Sequence, residues 1–263
     1  MSAHAVEPKI TLFDIPSICK PQAWSGNTWK ARYILNYKRI PYKTVWIPYP
    51  DIEKTLVNLG GEGKATSKRA DDPTKPLYTL PAILDETGTE AVLIVDSVNI
   101  AEYLDQKYPE RPVMPNVGKA LEFAVEALFT STVWPLAVMP LLPFADQIQD
   151  ERSQPYFRES RERVFKKKIE EFSPEGPIRD SQWKALQEGL DKFAAVLDKN
   201  GPNIYFVRGG INPTFADFLL AARIRWIKTI APEEWRKRGV EQWSNGRWGK
   251  LLKSLEPWES PAE

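Results

Sequence analysis

Residues 78–108 read YTLPAILDETGTEAVLIVDSVNIAEYLDQKY, and their pattern is strand, turn, strand, helix. The short runs 82–85 and 91–95 lie between polar neighbours, and residues 86–90 join them with Gly88 in the loop, which marks a hairpin. Asp96 and Ser97 are N-cap residue types, after which Val98, Ala101, Leu104 and Tyr108 recur at helical spacing until Pro109. Pro81 has no N–H to give a ladder, so Leu80 and Pro81 mark an X-Pro turn, open to either isomer, at the strand entrance. The Leu80 backbone N–H and C=O are then free to pair with an extended ligand, as an added strand would. The helix start at Asp96 and Ser97 offers unpaired N–H groups to a carboxylate, and the Asp96 side chain offers a partner to an ammonium. Together these groups suit an amino-acid-like ligand, although singly each reads as well as a plain cap and a plain turn.

Upstream, residues 9–15 (KITLFDI) alternate as a first strand, and residues 16–25 (PSICKPQAWS) have two prolines and no helical period. Residues 27–38 place Trp29, Tyr33, Ile34 and Tyr37 on one face of an amphipathic helix, and residues 43–48 (KTVWIP) form a second strand. Strand, helix, strand asks for a parallel pair. Residues 51–59 predict a short helix closed by Gly60, Gly61 and Gly63, followed by an irregular polar flap to Pro76.

Downstream, three prolines in residues 108–116 mark a linker. Everything after it has a helical pattern. Residues 118–142 predict one long apolar helix with late kinks, residues 151–172 a charged amphipathic one, and residues 181–198 carry Trp183, Leu186, Leu190, Phe193 and Leu197 on one face. Residues 215–229 are nearly all apolar, and short helices around Trp235 and Leu251 follow. In NPTFAD (residues 212–217), Thr214 stands three residues before Asp217, which is a capping-box spacing and marks the fold rather than the chemistry.

With 263 residues, 42% of them hydrophobic, the chain can bury the cores of two modest domains. A formal net charge of +1 asks for neither nucleic acid nor an anionic membrane, so a small-molecule partner fits best. The single cysteine, Cys19, and a Met1 end without a secretory pattern point to the cytosol. The most apolar stretch, residues 134–145, is too short for a bilayer span and contains Pro135, Pro140 and Pro143, so it reads as a kinked buried helix. The only histidine, His4, lies in what reads as a flexible leader, which argues against a Ser-His-Asp triad, a Cys-His pair or a His-rich metal site.

The order TLP, hairpin, Asp-Ser helix start resembles the glutathione-binding half of a glutathione transferase. NPTFAD is similar to the start of a buried helix in that family's second domain. The resemblance implies an N-terminal thioredoxin-like α/β domain over residues 9–108 and an all-α domain over residues 117–263. It implies glutathione as co-substrate, with Leu80 before a cis Pro81 pairing with its cysteinyl backbone and with Asp96 and Ser97 holding its γ-glutamyl end. It also implies a homodimer.

WSGNTWK (residues 24–30) sets Ser25 and Asn27 where the first loop becomes the first helix. A thiol of reference pKa about 8.5 becomes a strong nucleophile only as a thiolate, and a helix start with hydroxyl or amide donors stabilises that anion. Ser25 is equally readable as a helix cap. The run S-x-N-T-W-K, with LNYK and IPY after it, resembles serine-type fungal glutathione transferases related to bacterial β-etherases, which implies Ser25 as thiolate donor and Asn27 as its second donor. Cys19, six residues earlier in a proline-flanked loop, lacks a helix start behind it and reads as incidental. Among ten tryptophans, Trp24, Trp29, Trp46 and Trp134 fall near segments suited to lining an aromatic cleft, and Trp24 and Trp134 are the expected pocket residues. Arg223 and Arg225 read as a solvated helix face that can edge that cleft. A non-catalytic carrier of aromatic or phenolic metabolites is the alternative function, and an interaction domain like those of some translation factors ranks third.

Overall fold

The computed structural model describes residues 8–70 and 72–260, so His4 lies outside the described residues. Its sheet has the order β2-β1-β5-β6. The central strand β1 (Ile10–Asp14) is buried throughout and pairs in parallel with β2 (Lys43–Trp46), Phe13 opposite Val45. On its other side β1 runs antiparallel to β5 (Ala82–Asp85), Phe13 opposite Ala82, and β5 pairs with β6 (Val92–Val95) across the expected hairpin. The parallel pair requires a crossover, and α1 (Thr28–Tyr37) supplies it.

All ten residues of α1 are buried, which departs from the amphipathic helix expected from Trp29, Tyr33, Ile34 and Tyr37. The polar side of this helix is consumed by specific partners. Arg32 Nη2 lies 2.7 Å from Asp14 Oδ2 at the end of β1, and Asn36 Nδ2 donates to Trp258 O at 2.9 Å. Burial raises the Asp14 carboxyl above its ordinary range, with Arg32 opposing the shift. The helix is therefore fixed on one side to the sheet and on the other to the C-terminal helices.

After β2 come α2 (Ile52–Leu56) and a wide turn (Val57–Gly61) in which Gly60 has φ +80°, a conformation glycine adopts without strain. The following stretch is less irregular than its polarity suggests. β3 (Ser67–Lys68) pairs with β4 (Pro76–Leu77), held by backbone hydrogen bonds that hydropathy does not report. α3 (Ser97–Lys107) then closes the α/β half.

The second half is helical. Instead of one helix over residues 118–142 there are two, α4 (Ala120–Thr132) and α5 (Trp134–Gln147), bent by 66° at Val133. Pro135 lacks an N–H and fits only the first turn of a helix, so the break falls before it. α6 (Ser153–Phe165) ends at Lys166 in the left-handed conformation, and α7 (Pro177–Leu197) buries Trp183, Leu186, Leu190, Phe193 and Leu197 as their spacing requires. α8 (Phe215–Ile230) is the central buried helix, and α9 (Pro232–Lys237) and α10 (Trp243–Leu255) follow it. Among the described residues no single helix is long and apolar enough to cross a membrane.

Polar anchors fix the connection and the start of α8, and an aromatic contact joins the halves. Asp105 of α3 accepts Lys38 Nζ at 2.8 Å and the Met114 N–H at 2.7 Å, pinning the proline-rich connection. Tyr33 and Tyr37 of α1 both pack on Phe218 of α8. At the start of α8, Asp217 accepts the Thr214 N–H at 2.8 Å and the Val207 N–H at 2.7 Å, so the capping residue also anchors the preceding loop.

Candidate active site

The loop from β1 to α1 is held from below by two indoles. Trp24 Nε1 donates to Pro16 O and Trp29 Nε1 to Ala23 O, each at 3.2 Å. Both rings are in the core, Trp24 with 3% of its surface exposed, so Trp24 supports the loop and does not present an open face as a pocket wall. Its hydrophobicity is spent on the fold because a proline-rich loop has few N–H groups with which to brace itself.

Above them, Ser25 ends the loop. Its Oγ accepts the Asn27 N–H at 3.3 Å, and its carbonyl accepts the Trp29 N–H at 3.0 Å and the Thr28 hydroxyl at 3.2 Å. Ser25 therefore braces the turn that leads into the helix, whose N-cap position is taken by Asn27 without a side-chain cap bond. The hydroxyl proton remains free: among the described residues no group accepts it, and the Asn27 side chain, in an exposed residue, also has no partner. No acidic residue stands in the first turn of α1, so the positive end of the helix is left uncompensated. Gly26, between them, lies against α8: a Cβ there would sit 3.0 Å from Trp226 Cβ and 3.1 Å from Ala222 O. This close approach sets Ser25 at the junction of the two halves.

The second part of the site comes from the hairpin. The Leu80–Pro81 peptide bond is cis, and Pro81 O accepts the Asp96 N–H at 3.1 Å, which brings the TLP turn and the start of α3 together. Neither the Leu80 N–H nor its C=O has a hydrogen-bond partner among the described residues, although its side chain is in the core. Asp96 caps α3 by accepting the Val98 N–H at 2.9 Å, with φ +81° and ψ 140°. That region is costly for any residue with a Cβ. Ser97 is buried, and its hydroxyl has no partner among the described residues.

Charge gathers where these elements meet. Lys30, in the first turn of α1, is 6% exposed, and its Nζ lies 3.8 Å from Glu126 of α4. Burial, and then the nearby Arg223, lower the Lys30 ammonium to about 8 against the pull of Glu126 and Asp96. Arg223 is no solvated helix residue. Its Cζ stands 4.4 Å from the centroid of Trp134, which in turn packs on Trp226 at 5.3 Å. Trp134 thus has a half-buried ring beside the junction. Arg225 faces the other way, 4.0 Å over Trp29 and paired with Glu259. Lys30 and Glu126 were not singled out in the sequence, where the helix carrying Lys30 read as amphipathic and its charges as solvent-facing. Cys19 stands apart, on the wall of a separate cavity of 630 Å³ with Ala23, Arg225 and Leu252.

The arrangement pairs a helix start bearing a spare hydroxyl proton with an unpaired backbone edge and a second helix start, which suits a short extended peptide carrying a nucleophilic anion. Comparison with known proteins identifies the family. Residues 23–112 match the pattern of the glutathione S-transferase N-terminal domain, and residues 120–258 that of the C-terminal domain. A glutathione S-transferase-like protein of Aspergillus flavus is 29% identical over 269 residues, spanning 96% of this chain and 91% of that protein. A glutathione S-transferase of Ceriporiopsis subvermispora, solved in complex with glutathione, superposes with a TM-score of 0.87 at 34% identity, over 97% of this chain and 99% of that one. A glutathione transferase of Phanerochaete chrysosporium gives 0.86 at 31% identity, over 98% and 100%. Both of its halves carry the pattern, and the chain belongs to the glutathione S-transferase family.

Proposed function

We propose that the chain binds glutathione and stabilises its thiolate with the Ser25 hydroxyl, for attack on a small hydrophobic or aromatic electrophile. The observation that carries this is the free Ser25 proton at the uncompensated start of α1. Because Oγ already accepts the Asn27 N–H, the O–H is left to donate outward, and the helix end adds positive potential. Asn27 supplies a second, exposed amide donor. Leu80 pairs its N–H and C=O with the cysteinyl backbone, and the start of α3 takes the γ-glutamyl end, Asp96 facing the ammonium and Ser97 the carboxylate. The site is thus of the serine type. Conjugation, peroxide reduction and aryl-ether cleavage all begin from the same thiolate, and the β-etherase-like run around Ser25 favours aromatic ethers and halides as partners.

A thermal-shift comparison tests the binding half of this reading. At about 100 times its Kd, glutathione should stabilise the fold by roughly 2.7 kcal/mol. Stabilisation by polyphenols with none by glutathione, and no turnover of a generic aryl electrophile, would replace the enzyme with a carrier.

A further inference from the structure

We propose that Lys30 and Arg223 form a carboxylate subsite at the junction of α1, α4 and α8, built to take an aromatic acid beside Trp134. The inference deepens the function proposed above and rests on it for the identity of the reaction.

Two cations from different halves of the chain are brought near each other here, Lys30 buried and Arg223 partly buried. Like charges in such a place repel, and each has given up water to be there. The neighbourhood does not repay them. Glu126 stands 3.8 Å from Lys30 Nζ, beyond hydrogen-bond reach, and among the described residues it is the one carboxylate that acts on both cations. Asp96 also acts on Lys30, but one of its oxygens is spent on the Val98 N–H and its charge is owed to the ligand's ammonium. Among the described residues no acceptor lies within hydrogen-bond distance of the Lys30 ammonium or the Arg223 guanidinium; the latter has only the Trp134 ring under one face.

Burial lowers both groups, and Lys30 reaches about 8, so both still carry charge at neutral pH. The result is an ammonium and a guanidinium without hydrogen-bonded acceptors among the described residues, next to an aromatic face. A carboxylate supplies the missing acceptors, with planar geometry that suits the guanidinium fork, and an aromatic ring attached to it can lie along Trp134. The carboxylate can belong to the electrophile or to glutathione itself, and the two sources are separable.

The test is calorimetric titration of 4-nitrobenzoate, its neutral isostere 4-nitrobenzamide, and glutathione into the full chain and into Lys30→Gln and Arg223→Gln. The acid should bind the unaltered chain at least about tenfold more tightly than the amide, as charge-assisted hydrogen bonds require. Both variants should lose that preference. If the acid shows no preference but glutathione affinity falls about tenfold in both variants, the subsite holds a carboxylate of glutathione. Equal binding of acid and amide by the unaltered chain, with glutathione affinity unchanged in the variants, overturns the subsite. The acid–amide comparison involves neither glutathione nor a variant, so a chain that ignores glutathione yet discriminates the two keeps the subsite and loses the function proposed above.

Discussion

Asp96 carries two separable burdens, and substituting it three ways should pull them apart. Its side chain caps α3 through the Val98 N–H at 2.9 Å, while its backbone sits at φ +81°, where a Cβ is strained by about 1–3 kcal/mol. Asp96→Ala loses the cap, about 0.5–2 kcal/mol, and keeps the strain. Asp96→Gly loses only a few tenths of a kcal/mol at the cap, by the same scale, and releases the strain, so it should be at least as stable as the unaltered chain and about 1–3 kcal/mol more stable than Asp96→Ala. Asp96→Asn keeps cap and conformation and removes only the charge. In glutathione affinity the order differs. All three variants lose the partner of the ammonium, about 1.5–3 kcal/mol at this half-buried position, or roughly ten- to a hundredfold in Kd. Denaturant unfolding and isothermal titration on the same preparations read both quantities. Asp96→Gly less stable than Asp96→Ala would refute the strain argument, and unaltered glutathione affinity in Asp96→Asn would refute the role assigned to the carboxylate.

Gly26→Ala places a methyl 3.0 Å from Trp226 Cβ and should cost about 1–3 kcal/mol through overpacking, less the 0.4–1 kcal/mol or so gained from a stiffer unfolded chain; an unchanged melting temperature would mean that the α1–α8 contact is slack. Burial holds the Asp217 carboxyl at about 7, above its ordinary 3.8, so its stabilising contribution is complete below about 3.8 and is lost as pH rises through about 7. Unfolding free energies at pH 5.5 and pH 8 should therefore differ more in the unaltered chain than in Asp217→Asn, and an identical pH dependence would remove Asp217 as the cause.

What was legible in the chain was local. The hairpin and α3 could be read because alternation, a turn and a cap follow one another within thirty residues, and α7 because its five apolar positions share one face. The break at Val133 was hidden, since apolar residues continue across it and the prolines could be absorbed as kinks. The pairing of β3 with β4 depends on backbone bonds between polar segments, which hydropathy does not register. At the site, Ser25, Leu80, Asp96 and Ser97 stood out as turn and cap residues at element ends. Lys30 did not, because helices expose most of their charges, and only the packing of α1 between sheet and α8 shows that it is buried; Arg223 stood out as a cleft edge but read as solvated, and its stacking on Trp134 is visible only in the structure. Trp24 was ambiguous in a different way: an indole suits a ligand pocket and a loop brace equally, and its bond to the Pro16 carbonyl shows the brace.

The central claim is that the Ser25 hydroxyl holds a thiolate, and its most direct measurement is the ultraviolet titration of glutathione bound to the unaltered chain and to Ser25→Ala. The bound thiol should ionise below its reference pKa of about 8.5, and loss of one charge-assisted hydrogen bond, about 1.5–3 kcal/mol, should raise it by roughly 1–2 units in Ser25→Ala. A thiol that titrates at the same pH in both proteins would contradict the account and leave Ser25 as a brace of the turn before α1 alone.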